Sequence, residues 1–265
     1  MLCNASVSSR ARILAVCSAV VVALLAVALF APLPITIAYP GMTANVLGAN
    51  NGQQVISVSG TKVRPTSGQL RMVTIVATGP NADVHFTDVW TAWWSRSQAV
   101  MPRSAVYPGG GSVQQVTQQN LNEMKQSQQA ATAAALKHMG LSPSQVKVDL
   151  KLADVGGPSA GLMFTLGIID RVQGDGRGND LTGGRTIAGT GTIDQDGTVG
   201  AVGGVALKEQ AAKRDGASVF LTPRDECSDA KAELPGGMRL IPVSTLGDAL
   251  NSLAALRSGA PLPSC

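Results

Sequence analysis

Gly156-Gly157-Pro158-Ser159-Ala160-Gly161 sets a serine among residues with almost no side chain. Ahead of it Val146, Val148, Leu150 and Leu152 alternate with Lys147, Asp149 and Lys151, the period of a half-exposed strand. Behind it, residues 159–172 are apolar and predict a helix whose start tolerates Pro158. A serine at such a strand-to-helix turn keeps its hydroxyl open. Backbone N–H groups at a helix N-terminus face an incoming negative charge. Ser159 is therefore a candidate nucleophile, with the amides around Gly157 and Ala160 as candidate oxyanion donors. The plainer reading is an N-capping turn, for which serine is also favoured.

A serine hydroxyl is a weak nucleophile at neutral pH and needs a base. The two histidines, His85 and His138, carry no local triad signature. Lys208, in Gly203-Gly204-Val205-Ala206-Leu207-Lys208, is the alternative. A helix is predicted over 205–214, with Val205 and Ala212 on the face of Lys208. Burial on an apolar face lowers a lysine pKa from its ordinary value of about 10.4. A solvent-facing lysine is the usual alternative. Glu209 follows directly but points about 100° around the helix. Thr190, in a strand predicted over 187–193, offers a hydroxyl to hold the lysine amine.

Other patterns point to less. Ser59-Gly60-Thr61-Lys62 fits Ser-x-x-Lys, but the companion Lys-Thr-Gly is absent and the segment reads as a strand end and turn. The glycines from Gly197 to Gly204 lack the Gly-Lys-Ser/Thr ending of a phosphate-binding loop, so no ATP site is expected. Asp175, Asn179 and Asp180 do not have the spacing of a calcium loop and read as a polar turn. No metal or cofactor is expected. The net charge of +4 is spread along the chain without a Lys/Arg cluster, which argues against a nucleic-acid partner.

Residues 13–31 form an uncharged apolar run. At about 1.5 Å per residue it matches the hydrocarbon thickness of a bilayer. Arg10 and Arg12 precede it, so a single-pass anchor would leave the N-terminus in the cytoplasm and the rest outside. A cleaved signal peptide is the other reading, although Pro32-Leu33-Pro34 offers no clean cleavage site. Leu14-Ala15-Val16-Cys17 places its cysteine too early in the run for a lipoprotein signal. Cys3 and Cys17 belong to the N-terminal part. Cys227 and Cys265 fall where a disulfide survives, and whether they pair stays open.

Strands are predicted over 35–39, 54–58, 70–77, 146–152, 187–193, 198–202, 219–222 and 240–243. Helices are predicted over 84–98, 113–139, 159–172, 205–214 and 245–256, with an Asp196-Gly197 hairpin turn. Trp90 and Trp94 share a helical face, read either as core packing or as a membrane-surface contact. The alternation predicts an α/β (α+β) fold. The expected organisation is a cytoplasmic stretch 1–12, a transmembrane helix 13–31, a strand-rich part 35–112, a catalytic domain 113–257 and a tail 258–265.

Together these residues resemble the proteolytic domain of Lon proteases. Pro158-Ser159-Ala160-Gly161 matches the nucleophile motif, and Thr190-Gly191 a Thr-Gly pair between the catalytic residues. Gly203-Gly204 with Lys208 matches the general-base pattern, and Met124-Lys125-Gln126-Ser127 the start of the preceding helix. The likeness runs from about 120 to 255 and is greatest to membrane-anchored, ATP-independent Lon-like proteins of Gram-positive bacteria. Two features depart. The acid that Lon carries three positions before its serine is Gly156 here, with Asp154 the nearest acid. Residues 141–146 leave no room for the PDZ domain common in anchored relatives. The resemblance implies a Ser159/Lys208 dyad acting through an acyl-enzyme on polypeptide substrates, and self-association, with a ring of six as the family pattern. The alternative is a catalytically silent, membrane-tethered binding or assembly module.

Overall fold

The structure is a computed structural model that describes residues 9–50, 52–107, 109–152 and 156–265. Cys3, Pro108 and Asp154 lie outside the described residues. Helix α1 (Ser9–Phe30) is apolar all round and exposed along its whole length, with mean hydropathy 3.0 in its most apolar window. At roughly 1.5 Å per residue it is long enough to cross a bilayer.

The chain then runs through β1 (Ile35–Asn45), β2 (Ala49–Asn50), β3 (Gln53–Gln54), β4 (Ile56–Ser59) and β5 (Gln69–Ala77). Next come α2 (Phe86–Trp93), β6 (Ala99–Pro102), α3 (Arg103–Val106), α4 (Val113–Met139) and β7 (Lys147–Leu150). After the Ser159 turn follow α5 (Gly161–Val172), β8 (Thr186–Gly189), β9 (Thr192–Ile193), β10 (Val199–Gly200) and α6 (Val205–Arg214). Strand β11 (Val219–Pro223), a 3-10 turn (Arg224–Glu226), α7 (Cys227–Ala232), β12 (Arg239–Val243) and α8 (Leu246–Ser258) complete it.

Six strands form one sheet in the order β12-β11-β8-β5-β1-β6. The first four are parallel, and β1 is antiparallel to both of its neighbours. The stretch 35–112 thus contributes β1, β5 and β6 to the sheet that holds β8, β11 and β12. Strand alternation divides the core in two. Leu70 and Met72 of β5, Ile187 of β8 and Leu221 of β11 pack with Leu162 and Phe164 of α5. Val73, Ala188 and Phe220, their neighbours along the same strands, turn the other way onto Val205 and Ala212 of α6. The sheet is therefore a partition, with the serine's helix on one face and the lysine's helix on the other. The α/β reading holds.

Helix α4 has the predicted bounds because its ends carry local signals. Ser112 caps it in a reciprocal box with Gln115, and Gly140 closes it at φ 66°. Elsewhere tertiary contacts moved the boundaries. Strand β1 continues past Pro40-Gly41, where the local pattern predicts its end. A bulge between Pro40 and Thr43 absorbs the proline, and a Cβ at Gly41 would collide with Thr74. The helix predicted over 84–98 stops at Trp93, because Ser95 Oγ takes the Ser97 amide at 3.3 Å and turns the chain. That frees β6, a short edge strand ending in Pro102, to pair with β1. The predicted strand 187–193 is broken into β8 and β9 at Thr190-Gly191, with Gly191 at φ 150° and Val199 Cγ1 2.9 Å from where a Cβ would sit.

Cys227 and Cys265 are disulfide-bonded across a separation of 38 residues. Closing a loop of that length contributes about 4 kcal/mol in the chain-entropy account. Cys17 is free and exposed. The polar loop after α5 is held by its own acids. Asp175 accepts the amides of Arg177 and Asn179 and pairs with Arg257, while Asp180 takes Ser67.

Candidate active site

The turn that carries Ser159 is braced through its carbonyls. Ser127 Oγ, on α4, donates to Pro158 O at 2.9 Å. Ser159 O accepts the Gly191 amide at 3.0 Å and the Thr190 hydroxyl at 3.3 Å. The Gly157 amide donates to Asn120 O at 3.0 Å. The small residues are required by this crowding. A Cβ on Gly156 would lie 2.7 Å from Asn120 Cβ, and one on Gly161 would lie 3.0 Å from the Ile193 amide nitrogen. Ala160 is buried and serves as N-cap of α5, which begins at Gly161 and not at 159. Ser159 itself is half-buried.

Two of the expected groups have other partners here. The Thr190 hydroxyl, expected on the lysine amine, donates to the Ser159 carbonyl. The break after β8 aims it at the turn. The Gly157 amide was expected among the oxyanion donors, but it is taken by Asn120. Pro158 has no N–H, and the next amides along this turn are those of Ser159 and Ala160.

Lys208 is 3% exposed, with Val205 and Ala212 buried on the same helix. Gly204, in the left-handed region at φ 71°, starts α6 and packs against Ile75. Burial drives the Lys208 pKa down from 10.5 to about 8, and the Glu226 carboxylate partly opposes that. Glu226 also accepts the Val202 amide at 3.0 Å, tying the loop before α6 to the turn after β11. Sequence reasoning missed Glu226. It lies beyond the rest of α6 and the whole of β11, and nothing in its local pattern marks it.

Ser159 and Lys208 open on one cleft of about 540 Å³, whose walls include Thr74, Ile75, Tyr107 and Asn120. Among the described residues, part of the β5 wall has an edge with no paired strand. Its pairing with β8 ends at Met72, whereas its pairing with β1 continues to Ala77. Ser59 sits at the end of β4 and is not among the cleft-lining residues.

Glu209 is the unexpected neighbour. It is fully buried, and among the described residues neither carboxylate oxygen has a hydrogen-bond partner. Burial raises its pKa from 4.5 to about 8. The folded protein then holds a proton that the unfolded chain releases above 4.5, so stability falls as pH rises through this window. The slope is at most about 1.4 kcal/mol per pH unit. Asp170, raised to about 6 mainly by burial, acts with the same sign but only up to that pH. Glu209→Gln is therefore expected to flatten the loss of stability between about pH 6 and pH 8. Denaturant midpoints of both proteins across that interval check it, and an unchanged slope would refute it.

Residues 90–256 match the Lon protease (S16) C-terminal proteolytic domain family. Over 121 residues the chain is 29% identical to Lon protease 2 of Bacillus subtilis (strain 168), an alignment covering 44% of this chain and 21% of that protein. The match thus spans about a fifth of that relative's length. The family match covers well over half of this chain, and its span includes the braced serine turn, the buried lysine and part of the cleft lining. On that match the chain belongs to the Lon protease (S16) C-terminal proteolytic domain family, a family of serine peptidases.

Proposed function

We propose that this protein is a membrane-anchored, ATP-independent serine endopeptidase that uses Ser159 and Lys208 as a dyad. The observation that carries the reading is the cleft shared by Ser159 and a buried Lys208 whose pKa is depressed to about 8. Neutral Lys208 takes the Ser159 proton as Oγ attacks a peptide carbonyl. The amides of Ser159 and Ala160 then stabilise the oxyanion, and the lysine returns the proton to the leaving amine. Water, deprotonated by Lys208, hydrolyses the acyl-enzyme. Thr190, Ser127 and Asn120 hold the turn, and Asn120 also lines the cleft. The free β5 edge along Thr74–Ala77 suits an extended peptide laid beside it as an added strand. Such a substrate is a peptide, a loop or a loosely folded protein.

Helix α1 supports an anchor, with Arg10 and Arg12 on its cytoplasmic side and the cleft outside. The family resemblance adds self-association as a ring of six. Purified full-length chain in detergent is expected to cleave an unfolded polypeptide without ATP. The absence of turnover across neutral and alkaline pH would leave only a binding module. Protease added to intact, wall-stripped cells should digest the domain. Digestion only after lysis would reverse the orientation.

A further inference from the structure

All three tryptophans of the chain stand on or directly after α2, and none is buried. The inner face of this helix is accounted for. Ala92 is buried with Ile37 and Val84, and Val89 packs against that cluster. The outer face is bare. Phe86 is 43% exposed, Trp90 58%, Trp93 77% and Trp94 73%. Phe86 stacks on Trp90 with centroids 6.2 Å apart, and Trp90 meets Trp94 edge-on at 6.0 Å. In a chain with only 3% aromatic residues, this is a concentration of large apolar surface on one short helix.

Its position says what covers it. Leu29, in the last turn of α1, lines one shallow recess with Phe86 and Trp90. The junction is clamped. The Leu33 amide donates to Val84 O at 2.7 Å, and the Arg103 guanidinium holds the carbonyls of Leu33, Ile35 and Ala82. The aromatic stripe is therefore held level with the last apolar turn of α1. When α1 spans a bilayer, that level is the boundary between hydrocarbon and headgroups, where tryptophan's apolar body and polar N–H are both accommodated. We propose that the Phe86/Trp90/Trp93/Trp94 face lies in the headgroup zone of the membrane that α1 spans, as a second contact beside the anchor. This rests on the anchored reading given above. It would fix the tilt of the body, because Gln210 on α6 donates to the Arg96 carbonyl just beyond α2. The lysine's helix, and with it the cleft, would face polypeptide lying on or leaving the bilayer surface.

Because every tryptophan belongs to this face, intrinsic fluorescence reads it alone. The full chain is reconstituted into phosphatidylcholine vesicles, with and without lipids brominated near the top of the acyl chain. Tryptophan emission should be blue-shifted, shielded from aqueous acrylamide and cut by about half or more by the bromine. Unquenched, acrylamide-accessible emission from chain that still floats with the vesicles after an alkaline wash would overturn the proposal and leave the anchor standing. Chain that no longer floats would overturn the anchor reading, and the proposal with it. Blue-shifted emission that bromine does not quench, and that reverts at one copy per vesicle, would assign the face to a second copy instead.

Discussion

Ser159→Ala is expected to abolish peptide cleavage, lowering kcat on the order of 10⁴-fold or more, while leaving the fold intact. The two halves of that expectation come from different atoms. The hydroxyl is the only group at this turn that can form an acyl-enzyme. The carbonyl of the same residue, not the hydroxyl, takes the Gly191 and Thr190 hydrogen bonds. Alanine keeps that carbonyl and fits among small neighbours, so stability should change by no more than about 0.5 kcal/mol. Steady-state kinetics and a thermal melt on the same preparation check both halves. Undiminished turnover would remove Ser159 from the chemistry. A large drop in melting temperature would mean that the lost activity reports folding instead.

The second large effect concerns Lys208. A base must be neutral to accept the serine proton, and burial sets this amine near 8. Activity should therefore rise with pH along one limb centred near that value, losing about tenfold for each pH unit below it. Lys208→Arg should be inactive throughout, since guanidinium stays protonated. Glu226→Gln should move the limb to lower pH, because it removes the one negative charge that favours the ammonium yet keeps an oxygen for the Val202 amide. The same buried amine costs stability when charged, so its contribution to stability also rises with pH. The depressed lysine contributes fully above 10.5, and that contribution is lost as pH falls through about 8. Lys208→Met should therefore be inactive yet more stable at neutral pH, by about 1–3 kcal/mol. The pH profile of kcat/KM for the wild type, the arginine and the Glu226→Gln proteins is the decisive measurement. A limb that falls with pH, or an active arginine variant, would mean that another group is the base.

Some of this molecule was determined by sequence alone because its causes are local. Ser112, Gln115 and Gly140 specify both ends of α4 by capping chemistry, and Asp196-Gly197 specifies the hairpin before β10. The apolar run of α1 needs no partner to be recognised. The small residues around Ser159, and the apolar neighbours of Lys208 along one helix face, likewise mark both candidates in the linear chain. What tertiary structure decided is everything whose cause lies across the sheet. Strand β1 runs through Pro40 because β5 holds it on both sides of a bulge, and β6 exists because β1 offers it an edge. Thr190 turns to the serine's carbonyl because the chain breaks after β8. Glu226 reaches the lysine because the parallel step from β8 to β11 brings the end of β11 beside α6. Glu209 is buried with no hydrogen-bond partner among the described residues because α6 is packed by several elements at once, β1, β5, β11 and α7. The electrostatics of a buried amine depend on which charges packing brings within a few ångströms, and sequence separation carries no information about that distance.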